Sequence, residues 1–275
     1  MVGRLSRNTA VTRVSLVDAP ASHSERRADA IAVEEPLEVR VGGEVVASTM
    51  RTPGHDIEWL HGFLFAEGLI RSASDIIEAR YCAGATVEGV NTYNVLEVDL
   101  RPGVRAPGLE HIRITPGTSA CGVCGSSSMD AVLRRVPARL SPPPLLAEQV
   151  VAMPQRMRKE QKLFRRTGGV HAAAIFNAHG ELELLREDVG RHNAADKVIG
   201  ALLMQDALPA HDKVLVMSSR ASFELVQKAA LAGIPALVAV SAATSLAVDL
   251  ARESGMLLAG FVREDRLNLY AGELG

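Results

Sequence analysis

A chain of 275 residues, 47% apolar and 23% charged, is long enough to bury the core of one large domain or two modest ones. A formal net charge of −2 excludes a global pull toward nucleic acid or a membrane surface, so any anion site has to be local. Three cysteines, an odd number, two of them in a C-x-x-C too short to staple a fold of this size, fit a reducing, cytoplasmic setting better than secretion.

Residues 1–30 mix Arg, Ser, Thr and Ala without periodicity and are expected to form a mobile arm; Arg4, Arg7 and Arg13 precede no apolar run of export-signal type. Leu37, Val39 and Val41 then alternate with polar residues, Gly42-Gly43 supplies a two-residue turn, and Val45 to Met50 returns, which predicts a hairpin. Pro53-Gly54-His55-Asp56 opens a helix whose Ile57, Leu60 and Leu64 keep helical spacing up to Gly68. His55 and His61 read as a cap and a packing residue, because neither has a second metal ligand in sequence. Strands follow over 95–100 and 111–114, and Cys82 reads as a small buried apolar residue.

Gly117 to Gly125 holds Cys121 and Cys124, fenced by glycine and small polar residues, and feeds a helix over 131–136. Ser127 and Asp130 resemble a capping box there, and a helix N-terminus favours the thiolate over the thiol. Three readings of the pair stay open. Structural zinc lacks a second paired-ligand motif, with only Cys82, His171 and His192 to complete a set. A thioredoxin-like dithiol wants a tighter βαβ setting. A thiolate that accepts a sulfur atom as a persulfide and hands it on suits a flexible loop.

The run Ser141-Pro142-Pro143-Pro144 is a stiff connector, and a helix over 146–166 carries a basic face from Arg156 to Arg166, read as solvated or as a docking face. From Val170 the chain alternates between short strands without polar alternation and helices, up to a closing strand over 266–270. That pattern predicts an α/β sandwich with the sheet covered on both faces. The uncharged stretch Leu231–Val248 is broken by Gly233-Ile234-Pro235 and by Ser241 to Ser245, so it reads as a buried βα unit and not as a membrane span. The predicted division is an arm over 1–30, an α+β subdomain over 31–140 bearing the cysteine loop, and an α/β domain over 141–275.

In such a sheet, ligands collect beyond the carboxyl ends of the strands. Ser218, Ser219, Arg220 and Ser222 follow one buried strand, and Ser241 and Thr244 follow the next. Small hydroxyl residues at helix N-termini can receive phosphate oxygens, and Arg220 can hold a phosphate bidentately; ordinary N-capping is the plainer alternative. Thr167 to His171 and the polar stretch Glu187 to Asn193 read either as binding rims or as capped turns.

Seven segments, RTPGHDIEWLHGFLFAEGLI, CGVCG, FRRTGGVHAAA, REDVGRHNAADKVIG, SSRASFELVQKAALAGIP, SAATSLAVDLA and GFVREDRLNLY, run in order from Arg51 to Tyr270. Together they resemble the formate dehydrogenase accessory sulfurtransferase family. The resemblance implies a cytoplasmic, dimeric protein with a cytidine-deaminase-like layered sandwich. It implies transfer of sulfur from a cysteine desulfurase to the molybdenum or tungsten of a bis(molybdopterin guanine dinucleotide) cofactor, bound as substrate, before that cofactor enters formate dehydrogenase. Cys121 would carry the persulfide and Cys124 would assist, with no permanently bound metal. The resemblance puts cofactor binding on Phe261, Val262, Arg263, Glu264, Asp265 and Arg266, beside the two serine turns and His171. A thiol–disulfide oxidoreductase and a non-catalytic cofactor chaperone are the alternatives. One departure stands at Ser241-Ala242-Ala243-Thr244, where the family has Pro third. The zinc motif of deaminases is absent, since Gly117 to Ala120 precede Cys121.

Overall fold

The computed structural model describes residues 5–15, 23–82, 86–87, 90–91, 93–104, 113–114 and 129–275. The arm expected over 1–30 carries regular structure: β1 (Ser6–Ser15) and β2 (His23–Ala32) form an antiparallel ribbon, in register from Ser6 with Ala32 to Ser15 with His23. Most of β1 is exposed on both sides, so there is no buried face to imprint a period of two on the sequence.

β3 (Glu35–Val41) and β4 (Glu44–Arg51) make the predicted hairpin. Gly42 and Gly43 turn it with φ of 59° and 85°, a left-handed pair that two glycines adopt at little cost. With β5 (Ile76–Tyr81), the short pair β6 (Thr86–Val87) and β7 (Val90–Asn91) nearby in sequence, then β8 (Val95–Leu100) and β9 (Arg113–Ile114), the described residues build a sheet ordered β5-β8-β3-β4-β9. Helix α1 (Asp56–Glu67) ends on left-handed Gly68 and buries Trp59, Leu60 and Leu64 against Leu37, Val39 and Leu96 of that sheet.

The second sheet runs β11-β10-β12-β13-β14-β15, built from β10 (His171–Asn177), β11 (Leu182–Asp188), β12 (Lys213–Met217), β13 (Ala236–Ala239), β14 (Leu257–Gly260) and β15 (Asn268–Ala271). β12, β13 and β14 are parallel, while β10 and β15 flank them antiparallel. Strand β10 explains its own lack of alternation. Ala173 and Ile175 enter a core under helices α5 (Arg191–Met204), α6 (Phe223–Leu231) and α7 (Ser245–Ser254), whereas Ala172, Ala174 and Phe176 enter a core under α3 (Ala147–Glu160). A strand wetted on neither face has no reason to alternate.

Two boundaries differ from expectation. The helix expected over 131–136 is α2 (Met129–Leu133); its Val132 is buried with Leu140 in the α5–α7 core, so that core extends to the N-terminal side of the proline run. The single helix expected over 146–166 is two, α3 and α4 (Lys162–Thr167), broken at Gln161 with φ −71° and ψ 81°. Neither glycine nor proline makes that break. Instead the Glu187 carboxylate accepts the N–H groups of Leu163 and Phe164 at 2.9 and 2.8 Å, satisfying a new helix start from a neighbouring strand.

The two sheets are tied through α1 and α5, which cross at Gly62 and Gly200. A Cβ on Gly200 would sit 1.8 Å from the Glu58 carbonyl oxygen, and one on Gly62 1.9 Å from that of Asp196. Beside the crossing, Asp188 is fully buried. Its carboxylate pairs with Lys197 at 2.7 Å and accepts N–H groups from Thr52 at 3.1 Å, Gly190 at 2.8 Å and Asn193 at 3.1 Å. Lys197 also donates to the Thr52 carbonyl, and Asn193 bridges the Met50 carbonyl and the Trp59 indole N–H. Burial pushes the Asp188 carboxyl up, against the pull of Lys197.

Candidate functional site

Parallel strands β12 and β13 end side by side, and the turns after them lock onto each other. The Val240 N–H donates to the Met217 carbonyl at 3.0 Å, Ala221 N–H to Ala242 at 2.9 Å, and Thr244 N–H to Ala221 at 3.1 Å. Ser218 to Ser222 and Ser241 to Ser245 therefore form one floor, at the carboxyl ends where α/β sheets gather ligands.

Ser222 and Thr244 occupy the N-cap positions of α6 and α7 with extended backbone, yet neither side chain makes a cap hydrogen bond. N-capping, the plainer account of these hydroxyls, is thus not their observed role. Ser222 Oγ lies 3.4 Å from His192 Nε2, and Arg220 is exposed. Two helix N-termini and a cation at one edge suit a phosphate group.

The segment Phe261 to Arg266 joins the same floor. The Phe261 N–H donates to the Ser241 carbonyl at 3.0 Å, and the Arg263 guanidinium donates to that of Val240 at 2.6 Å. Phe261 is an exposed aromatic held at φ 50°, a left-handed backbone uncommon for such a residue. Val262 is buried under α3, whereas Glu264, Asp265 and Arg266 are exposed, the last two 3.6 Å apart.

His171, first residue of β10, completes the edge. Because β10 runs antiparallel to β12, it starts where β12 ends. Ser218 Oγ accepts the Ala172 N–H at 2.9 Å and lies 3.4 Å from His171 Nδ1. Burial first, and then the Arg191 cation, depress the His171 pKa, which favours the neutral imidazole. Asp188 is its ladder partner across β11, which ties this edge to the buried network described above.

Between this floor and α3 lies a cavity of about 510 Å³. Val240, Val262, Pro154 and Met157 give it apolar walls, and Ser218, Arg158, Gln161, Arg263 and Glu264 line it as polar groups. Sequence reasoning left α3 aside as a basic face. Its Arg158 instead lines this cavity, with the guanidinium 3.6 Å from the Phe164 ring centroid. No spacing in the sequence announces that contact, because it depends on the break at Gln161. A larger open hollow of about 780 Å³ lies against β11 and has Lys159 in common with the first, but includes none of the residues of the two serine turns, the Phe261–Arg266 segment or His171.

Other candidates disperse. Cys121 and Cys124, and Ser127 of the capping box, lie outside the described residues. Cys82 is half-buried where full burial was expected, its Sγ 4.0 Å from Glu97. His61 packs with Nδ1 2.8 Å from the Ile57 carbonyl, and His55 contacts Glu58 at 3.1 Å. Of the polar stretch 187–193, Asp188 and Asn193 are buried in the network joining the sheets, while His192 reaches Glu224 at 3.2 Å. Among the described residues, no group of three or more His, Cys, Asp or Glu is placed to hold a metal ion, and no helix is long and apolar enough to cross a membrane.

Comparison with known proteins bears on this geometry. A model of the FdhD/NarQ family matches residues 32–274. The "Sulfur carrier protein FdhD" of Corynebacterium efficiens is 53% identical over the full length of both chains. That of Mycobacterium tuberculosis is 50% identical across 89% of this chain and 90% of its own. A crystal structure of a putative formate dehydrogenase accessory protein from Desulfotalea psychrophila shares the fold, with a TM-score of 0.69 at 23% identity over 96% of this chain and 97% of its own. The chain belongs to the FdhD/NarQ family.

Proposed function

We propose that this member of the FdhD/NarQ family is a sulfur carrier for the maturation of formate dehydrogenase, with Cys121 as the carrying thiol. The Cys121 thiolate attacks the terminal sulfur of a cysteine desulfurase persulfide. A sulfur–sulfur bond forms on Cys121 as the bond to the donor cysteine breaks, and the donor leaves as thiolate. Delivery of that sulfur to the metal of a bis(molybdopterin guanine dinucleotide) cofactor, which is substrate and not a resident group, breaks the sulfur–sulfur bond and returns Cys121 as thiolate, with the two electrons that reduce the sulfur to sulfide coming from the substrate metal. Cys124 assists from the same glycine-rich stretch of sequence.

One observation carries the nucleotide half of this reading. The turns at Ser218–Ser222 and Ser241–Ser245, the segment Phe261–Arg266 and His171 come from four separate stretches of sequence, and they converge at the carboxyl ends of β12 and β13 beside a cavity of about 510 Å³. Arg220 and Arg263 are the phosphate partners, and the exposed Phe261 ring is suited to stacking on a base. A hairpin of β10 and β11 leading into three parallel strands supports reading the sheet as cytidine-deaminase-like. The protein is proposed to act as a cytoplasmic homodimer.

Mass spectrometry after incubation with a cysteine desulfurase and cysteine tests the sulfur half. The expected result is a gain of one sulfur atom on the peptide containing Cys121. An unmodified Cys121, in a reaction where the desulfurase itself is persulfidated, removes the proposal.

A further inference from the structure

Gln161 is 1% exposed, and its Nε2 has no hydrogen-bond partner among the described residues. A buried amide N–H left unpaired costs free energy, so an orphan of this kind calls for a reason. It belongs to the single residue that interrupts α3 and α4, and that residue lines the cavity beside the serine floor. The interruption is supported from outside by Glu187, which accepts the first N–H groups of α4. The fold therefore breaks a helix at a cavity-lining residue whose side chain carries an unsatisfied donor.

The rest of that wall narrows the ligand. Pro154, Met157, Val240 and Val262 offer apolar faces of the kind that sandwich a planar ring, and Glu264 adds an acceptor-only carboxylate. One edge of guanine carries an oxygen acceptor next to two N–H donors, which a carboxamide N–H and a carboxylate match. We infer that Gln161 is the base-reading residue of this cavity, its Nε2–H donating to the oxygen acceptor of a guanine whose two N–H donors on the same edge face Glu264. The inference rests on reading the floor as a nucleotide site and adds the residue that selects the base.

Calorimetric titration of the full-length protein with GDP and with ADP, together with thermal denaturation without nucleotide, tests it. Gln161→Met keeps the volume and removes the donor. GDP affinity is expected to fall about tenfold, and the preference for GDP over ADP to narrow, because the base acceptor is left unpaired. The Tm of the nucleotide-free protein should stay level or rise, since the variant deletes an orphaned polar group. Unchanged GDP affinity overturns the inference. So does a lower Tm, which would make Gln161 a brace for the α3–α4 break, and so does failure of the wild-type protein to bind GDP. Persulfide formation on Cys121 is scored separately, so each of these failures leaves the sulfur-carrying reading standing or falling on its own measurement.

Discussion

Around Asp188 the hydrogen-bonding capacity is used up inside the protein: both carboxylate oxygens, the Lys197 ammonium and both ends of the Asn193 amide find protein partners. Around Ser218, on the other side of β10, the reverse holds. Two N-cap side chains make no cap bond, an arginine is exposed, and a buried amide nitrogen has no partner among the described residues. Both regions are polar stretches that lead into helices, and their sequences look equally suited to binding. What separates them is leftover hydrogen-bonding capacity. The first joins two sheets, and the second is open to a ligand.

The contrast is broken most severely at Lys197. Lys197→Met leaves Asp188 as a buried carboxylate without its cation, and should cost about 3–5 kcal/mol in urea denaturation. A loss below about 1 kcal/mol would mean that the network is not what holds the sheets together. In the open region the signs should differ. Arg220→Ala is expected to weaken GDP binding about tenfold through loss of one charge-assisted hydrogen bond, with Tm unchanged. Lost stability with intact binding would place Arg220 on the wrong side of the comparison.

A smaller effect sharpens the closed side. Glu58 on α1 meets Arg186 of β11 through two hydrogen bonds at 2.5 and 2.7 Å. Burial pushes its carboxyl up, but Arg186 and His55 override this and bring its pKa from 4.5 to about 2. A pKa depressed on folding contributes stability above the unfolded value, and that contribution is lost as pH falls toward the folded one. Tm should therefore decline between pH 4.5 and about 2, and Glu58→Gln should flatten that part of the curve. An identical acid limb in both proteins would assign acid sensitivity to other carboxylates.

What could be read from the sequence follows from these differences. Gly42-Gly43 announced its turn because both residues take positive φ, and Ala236 to Ala239 announced a buried strand because both faces are covered. The turns at Ser218 and Ser241 were legible because strand ends in such sheets lie next to one another. The β1–β2 ribbon left no signal, having little buried face to pattern. The break at Gln161 depends on Glu187, 26 positions on, and the Asp188 network on Thr52, more than a hundred positions earlier. Local propensity contains neither partner. The Gly62–Gly200 crossing was missed for the same reason, since each glycine looks like an ordinary helix position until the other helix arrives.

The central claim is that one sulfhydryl, at Cys121, passes sulfur to a cofactor held by its nucleotide ends. The most direct measurement is the sulfur bound at the metal centre of formate dehydrogenase, purified from cells that lack this protein and carry either the wild-type gene or Cys121→Ser. The account predicts a sulfurated, active dehydrogenase with the wild type and an unsulfurated, inactive one with Cys121→Ser, although that variant still binds GDP. Full sulfuration with Cys121→Ser would contradict it.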